Sequence, residues 1–123
     1  MTKILVVEDD KSLLKAYEFT LSSKGFEVRL AENGQVALDI LASYIPDIII
    51  LDLVMPIMDG FTLLVKIKEN ADLKNIPVLV VTNLAQSEDI LKAMKMGASD
   101  YLIKTDFSTR DLVEKIGEYV TSN

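Results

Sequence analysis

The run of four apolar residues at positions 48–51 constrains the fold of this chain more than any other stretch. It is rich in β-branched side chains and is followed directly by a single carboxylate, Asp52. A continuous run of this kind predicts a strand buried on both faces, as in parallel sheets. Since ligands of open α/β sheets bind beyond the carboxyl ends of the strands, Asp52 is expected to lie at a functional site.

Four more apolar or alternating runs predict strands, and apolar residues at helical spacing predict a helix after each strand. The predicted strands cover 3–7, 26–30, 48–51, 77–82 and 100–104, and the helices cover 13–21, 36–41, 61–67, 90–94 and 112–120. In the first helix, Phe19 is assigned to the apolar face. Helices between consecutive strands imply right-handed crossovers and a doubly wound parallel α/β sheet. Three strands are apolar throughout, so we expect helices on both faces, in a three-layer sandwich.

Short polar and glycine motifs predict where several elements begin and end. Gly25 is expected to terminate the first helix, and Asn33-Gly34 to form a turn. Ser87 is expected to be the N-cap of the fourth helix, and Ser108 with Asp111 to form a capping box at the fifth.

Composition excludes several function classes. The 123 residues suit a single domain over 1–123, and the absence of Cys and His excludes disulfides, thiolate metal sites and a histidine base. No membrane-spanning run or signal peptide is present, so we expect a cytoplasmic protein that does not bind membranes. A net charge of −6 argues against nucleic-acid binding by this chain alone and favours a cation or a basic partner surface.

Polar residues end or directly follow four of the predicted strands and are therefore expected to meet at one edge of the sheet. They are Glu8 and Asp9, Asp52, Thr82 and Lys104. Three neighbouring carboxylates repel one another, and a divalent cation relieves the repulsion; with oxygen ligands alone, Mg²⁺ is the natural choice. Aspartate is a known nucleophile in phosphoryl transfer, and a metal, a lysine and a hydroxyl can stabilise the transferred oxygens.

Each of these residues also has a simpler interpretation when taken alone. Glu8 and Asp9 could be an acidic first turn that favours the helix dipole, and Asp52 could be a cap. Thr82 could be an ordinary strand-end residue and Lys104 a solvated lysine. Their occurrence together at consecutive strand ends favours a phosphoryl-accepting site over these alternatives.

Four segments of the sequence carry a resemblance to a known family. They are ILVVEDD, IIILDLVMPIMDG, VLVVTN and GASDYLIK. Together they resemble the receiver domain of two-component response regulators, of the chemotaxis-receiver kind, over nearly the whole chain. The resemblance implies a flavodoxin-like (βα)5 fold with strand order 2-1-3-4-5. No output domain is evident, so the chain is expected to be a stand-alone receiver or a domain of a longer protein.

The resemblance implies a role for each residue at the predicted site. Asp52 would accept the phosphoryl group from a histidine kinase or a histidine phosphotransfer protein. Asp9 would bind Mg²⁺ directly, Glu8 would bind it through water, and Asp52 and the Val54 carbonyl would complete the protein ligands. Lys104 would pair with the phosphoryl group.

The resemblance also implies a conformational switch. Thr82 would move towards the phosphoryl group, and Tyr101 would swing into the space that Thr82 leaves. The surface formed by the fourth helix, the fifth strand and the fifth helix would repack and change its affinity for a downstream protein target. Such a protein is not an enzyme acting on external substrates, because it catalyses only its own phosphoryl transfer and self-dephosphorylation.

Four residues depart from the family pattern. Thr105 stands where the family usually has Pro after a cis bond, and a non-proline cis peptide costs about 3–4 kcal/mol, which argues against cis geometry after Lys104. Asn83 stands where a smaller residue is usual. Val54 and Leu84 flank the path of hydrolytic water and are apolar, so we expect slow self-dephosphorylation.

Two other function classes compete with a signalling switch. A phosphohydrolase similar to the haloacid-dehalogenase enzymes would need a second Asp two residues after Asp52, where this chain has Val54. A flavodoxin-like cofactor-binding protein would need a loop rich in Ser, Thr or Gly after the first strand. Glu8 and Asp9 occupy that loop and would repel a phosphate unless a metal intervened.

Overall fold

The computed structural model describes residues 1–120, and 121–123 lie outside the described part. The five strands are β1 (Lys3–Val7), β2 (Glu27–Ala31), β3 (Ile48–Leu51), β4 (Val78–Thr82) and β5 (Asp100–Ile103). The five helices are α1 (Lys11–Ser23), α2 (Gly34–Leu41), α3 (Gly60–Glu69), α4 (Ser87–Lys95) and α5 (Thr109–Tyr119), with a 3₁₀ turn at Lys104–Asp106.

All five strands pair in parallel in the order β2-β1-β3-β4-β5, which confirms the flavodoxin-like architecture. The central strand β3 is buried along its whole length, as its apolar run predicts. Alternate residues of β3 pack into two separate apolar cores on opposite faces of the sheet. Ile49 and Leu51 lie in the core formed with α2 and α3, and Ile48 and Ile50 lie in the core formed with α1 and α5. The three predicted layers are therefore present.

The strand register aligns the carboxyl ends of the central strands, and the helix ends have the predicted motifs. Val7 lies opposite Leu51, and Leu51 lies opposite Val80, so β1, β3 and β4 end nearly level. Gly25 adopts a φ of +90° just after α1, as its predicted role as a helix stop requires. The capping box at the start of α5 is also present, because Ser108 and Asp111 exchange side-chain to backbone hydrogen bonds.

Two predicted helix starts are wrong in detail. Asn33 does not begin a free turn: its side-chain oxygen accepts the Val36 N–H at 2.9 Å and caps α2, in which Gly34 is the first residue. Ser87 is the first residue of α4, and Gln86 occupies the N-cap without a side-chain hydrogen bond. Both motifs lie at the N-terminus of a helix. At α4 the N-cap is one residue earlier than predicted, and at α2 Asn33 is an N-cap rather than part of a free turn.

Strand and face assignments also shift slightly. Strand β2 begins at Glu27, β4 begins after Pro77, and β5 ends at Ile103, so that Lys104 opens the 3₁₀ turn. Phe19 is 77% exposed and does not belong to the buried face of α1, which Leu14, Tyr17 and Leu21 form. Within residues 1–120 no helix is long and apolar enough to cross a membrane.

Candidate functional site

The carboxyl edge of the sheet brings the polar strand-end residues together. Carboxylate oxygens of Glu8, Asp9 and Asp52 all lie within 4.8 Å of one another. The Lys104 Nζ reaches this group from the end of β5 and lies 2.9 Å from Asp52 Oδ2. Thr82 ends the neighbouring strand β4 and is fully buried. The sequence-predicted site residues thus occupy one edge of one sheet.

Asp52 is held by backbone as well as by charge. Its side chain is only 6% exposed, Oδ1 accepts the Val54 N–H at 3.2 Å, and Oδ2 accepts from Lys104. Behind it, the Gly60 N–H donates to the Leu53 carbonyl at 2.9 Å. A β-carbon at Gly60 would lie 2.3 Å from the Asp52 carbonyl oxygen, so only glycine permits this close approach.

Lys104 is shared between two buried carboxylates. Besides its bond to Asp52, its Nζ lies 2.5 Å from Glu8 Oε1. Burial alone lowers the pKa of Lys104, but the hydrogen bonds and charges of Glu8 and Asp52 outweigh it and raise the pKa above its ordinary value. Burial raises the pKa of Glu8, although Lys104 and the Asp10 N–H oppose that shift.

The charge balance of this group fits a hard divalent cation. Three carboxylates face one ammonium, and oxygen atoms are the ligands that Mg²⁺ prefers. Glu8 already uses both oxygens, one for Lys104 and the other for the Asp10 N–H at 3.0 Å. Asp9 is exposed to solvent. Asp52 also has both oxygens hydrogen-bonded, so the exposed Asp9 is the carboxylate best placed to bind a metal directly.

The β4–α4 loop links the site to the edge strand β5. The Leu84 N–H donates to Thr82 Oγ1 at 3.4 Å, and the Tyr101 hydroxyl donates to the Leu84 carbonyl at 2.7 Å. Burial raises the pKa of Tyr101 to about 12, so the phenol stays protonated and able to donate. One residue, Leu84, therefore connects the two residues that the sequence predicted as a switch.

The residues that depart from the family pattern lie one or two positions after Asp52, Thr82 and Lys104 in the sequence. Val54 is 56% exposed, Leu84 is half-buried and Asn83 is exposed. Neither apolar side chain can hydrogen-bond a water molecule. The Lys104–Thr105 peptide bond is trans, since residues 1–120 contain no cis peptide. Lys104 reaches Asp52 with that trans geometry.

Three residues at this edge have roles that the sequence reasoning missed. Asp59 caps α3 by accepting the Thr62 N–H at 2.9 Å, and Gly60 follows it against Asp52. Ile57 has a φ of +70° in a tight turn closed by the Met58 N–H and the Pro56 carbonyl at 2.7 Å. The Asp59-Gly60 dipeptide carried a usable signal, whereas nothing local marks Ile57, a β-branched residue, for a positive φ.

Comparison with known proteins gives one consistent match. The family model described as response regulator receiver domain matches residues 4–117. The response regulator PleD of Caulobacter vibrioides is 40% identical over 102 residues, which are 83% of this chain and 22% of that protein. This chain spans 22% to 53% of the length of PleD and other curated relatives that it matches.

Solved structures of similar size match the fold throughout. The Vibrio cholerae chemotaxis protein CheY4 gives a TM-score of 0.91 with 29% identity, covering 98% of this chain and 99% of that one. The Mn²⁺-bound form of response regulator Rcp1 gives 0.86 with 29% identity, covering 100% and 98%. These matches give no support to the phosphohydrolase or flavodoxin-like alternatives.

Proposed function

The chain belongs to the response regulator receiver domain family, and from this premise we propose that Asp52 is the residue that accepts the phosphoryl group. One observation carries the proposal. Asp52 is a buried carboxylate at the end of β3, and its two oxygens are oriented by the Val54 N–H and the Lys104 ammonium. A nucleophile held in this way loses little freedom when the reaction begins.

The transfer requires a phosphorylated donor, which we propose is a histidine of a kinase or of a phosphotransfer protein. A carboxylate oxygen of Asp52 attacks phosphorus, the phosphorus–nitrogen bond breaks, and the leaving imidazole takes up a proton. Lys104 offsets the charge on the phosphoryl oxygens, and the Thr82 hydroxyl donates to one of them once the β4–α4 loop has moved. Both groups act by electrostatic stabilisation rather than by proton transfer to Asp52.

We assign the metal site to the same group of carboxylates. Asp9, Asp52 and the Val54 carbonyl would hold Mg²⁺, and Glu8, which lies closer to the Lys104 ammonium than Asp52 does, would contact the ion through water. Bound there, the ion would neutralise charge on the transferred oxygens. Without it, three carboxylates against a single lysine would repel an incoming phosphoryl group.

The output of the domain follows from the link through Leu84. The Leu84 N–H donates to Thr82 Oγ1, so movement of Thr82 towards a phosphoryl group displaces Leu84. The Leu84 carbonyl accepts a hydrogen bond from the Tyr101 hydroxyl. We therefore assign Thr82 and Tyr101 as the switch and the surface formed by α4, β5 and α5 as the part that binds a downstream protein. We further propose that 1–123 act as one cytoplasmic domain that binds neither nucleic acid nor membrane.

Side chains that follow Asp52 and Thr82 in the sequence determine how long the phosphorylated state lasts. Val54 and Leu84 present only apolar atoms and cannot orient an attacking water, so self-dephosphorylation is slow. Asn83 is exposed beside them and can hydrogen-bond the phosphoryl group or crowd it. The protein turns over no external substrate.

Labelling by a small phosphodonor tests the assignment of Asp52. The purified protein is incubated with acetyl phosphate and Mg²⁺, and phosphorylation is followed by intact mass. The wild type is labelled and Asp52→Asn is not. Asp106→Asn is the matched control, because Asp106 is an exposed aspartate in the 3₁₀ turn at the same edge and should label normally. Persistent labelling of Asp52→Asn would place the acceptor elsewhere.

A further inference from the structure

Helix α4 is attached to the domain by very few buried side chains. Ala93 is the one buried residue of this fully described helix, whereas α3 buries four residues. Leu91 is 59% exposed and Met94 is 42% exposed. Displacing an element that buries little apolar surface costs little free energy, so the position of α4 depends on its remaining side-chain contacts.

One of these contacts is a cation–π interaction between helices. The Lys92 Nζ lies 4.2 Å from the centroid of the Phe61 ring, well within the range of such contacts. Within residues 1–120 Lys92 forms no ion pair, so its ammonium group contacts the Phe61 ring and no carboxylate. Phe61 is half-buried and packs against the core that contains Ala93.

Phe61 is also fixed relative to the phosphoacceptor. It follows Gly60, whose position against the Asp52 carbonyl leaves no room for a β-carbon. The Gly60 N–H further donates to the Leu53 carbonyl at 2.9 Å. Because close-packed interiors transmit small displacements, a shift of the Asp52–Leu53 peptide reaches the Phe61 ring through a single covalent neighbour.

The C-terminal end of α4 has a second contact, with the Lys68 side chain. A β-carbon at Gly97, just past the helix, would lie 3.1 Å from Cγ and Cε of Lys68. The Lys68 Nζ donates to the Lys74 carbonyl at 3.0 Å and to the Ile76 carbonyl at 3.3 Å, which holds its side chain in place. Lys92 lies in the last turn of α4 as well, so Phe61 and Lys68 together restrain the C-terminal half of the helix.

We propose that the contact between Lys92 and Phe61 is a latch through which the phosphoacceptor site controls the position of α4. It is separate from the connection through Thr82, Leu84 and Tyr101, since it runs along the start of α3. The latch rests on the proposed function for its trigger, a displacement at Asp52. Its existence as an α4 restraint can be measured without phosphorylation.

Hydrogen exchange of the α4 amides in the unphosphorylated protein tests the restraint. Lys92→Met shortens the side chain by one atom and removes its charge, and Phe61→Leu removes the ring. Each should speed exchange in α4 about two- to fivefold, the effect of one partly exposed cation–π contact. Phe61→Tyr keeps an aromatic face and should exchange as the wild type does. Lys95→Met is the control, because Lys95 lies on the same helix without an aromatic partner among residues 1–120.

The double variant Phe61→Leu, Lys92→Met decides whether the two residues act together. If they form the latch, the double variant exchanges no faster than the faster single variant. Multiplied effects, or unchanged exchange in Lys92→Met, would overturn the proposal. Since Phe61→Leu also perturbs packing, Lys92→Met carries the result if Phe61→Leu fails to fold.

A second arm tests the trigger with acetyl phosphate and Mg²⁺. On phosphorylation, the change in α4 exchange should be smaller in Lys92→Met than in the wild type. If both proteins are labelled and respond equally, the latch is wrong and the proposed function stands. If the wild type is not labelled at all, the proposed function fails, and the unphosphorylated cycle still reports on the restraint.

Discussion

Gly60 is the position at which a single methyl group should do most damage to the site. A β-carbon there would lie 2.3 Å from the Asp52 carbonyl oxygen and 2.6 Å from the Leu53 Cα. Both are backbone atoms, and side-chain carbons essentially never approach closer than 3.0 Å. Gly60→Ala must therefore displace either the start of α3 or the peptide that carries Asp52.

The expected size of the effect follows from two opposing terms. Replacing glycine by alanine in a helix stabilises it by about 0.5–1 kcal/mol, and less at a first helical residue such as Gly60. Forcing an extra carbon into a close-packed site costs about 1–3 kcal/mol. The net loss is about 0.5–2.5 kcal/mol, which for a domain of this size lowers Tm by roughly 2–12 °C.

Gly117 provides a matched control within the same chain. It lies in α5, and a β-carbon there would meet nothing within 4 Å. Gly117→Ala should therefore stabilise the protein by about 0.5–1 kcal/mol and leave labelling by acetyl phosphate unchanged. Urea unfolding gives both free energies. A Gly60→Ala variant as stable as the wild type, with an unchanged labelling rate, would refute the close-packing explanation.

Three further predictions concern the site. Lys104→Met without Mg²⁺ should lose about 2–3 kcal/mol in urea unfolding at pH 7, since the Glu8 and Asp52 carboxylates lose their shared cation; stability equal to the wild type would contradict this. Val54→Asn should shorten the phosphoryl half-life in Mg²⁺, and a clear lengthening would count against an apolar barrier to water. Tyr101→Phe should lose about 1 kcal/mol at neutral pH with its 2.7 Å hydrogen bond. That deficit should shrink as the pH rises from 10 towards 12, because the Tyr101 phenol ionises near 10 when unfolded and near 12 when folded, so the wild type loses more stability there than Tyr101→Phe does; a constant deficit would contradict this.

The fold and the meeting of the strand-end residues were predictable because both follow from topology. Once apolar runs alternate with helical patterns, parallel pairing brings every strand end to one edge. Asp52, Thr82 and Lys104 each follow such a run directly, so an error of one residue in a boundary does not move them to another edge. Lys104 illustrates this: it lies outside β5, in the 3₁₀ turn, and still reaches Asp52.

Local boundaries were less predictable because one motif serves several conformations. Asn33-Gly34 is typical of tight turns, and Asn is also a preferred N-cap. Only the tertiary context, a crossover that must begin α2 at once, selects the cap. Phe19 shows the reverse case, since it lies two residues from Tyr17 and so about 200° around the helix, on the solvent side.

The contact between Phe61 and Lys92 had no signal in the sequence. Gly60 was visible only as part of a motif, and its reason is a distance to the Asp52 backbone rather than a turn. Phe61 and Lys92 lie 31 positions apart on different helices, and each alone resembles an ordinary helical residue. Periodicity assigns a residue to a face, but it does not give the reach of a lysine across a gap between helices.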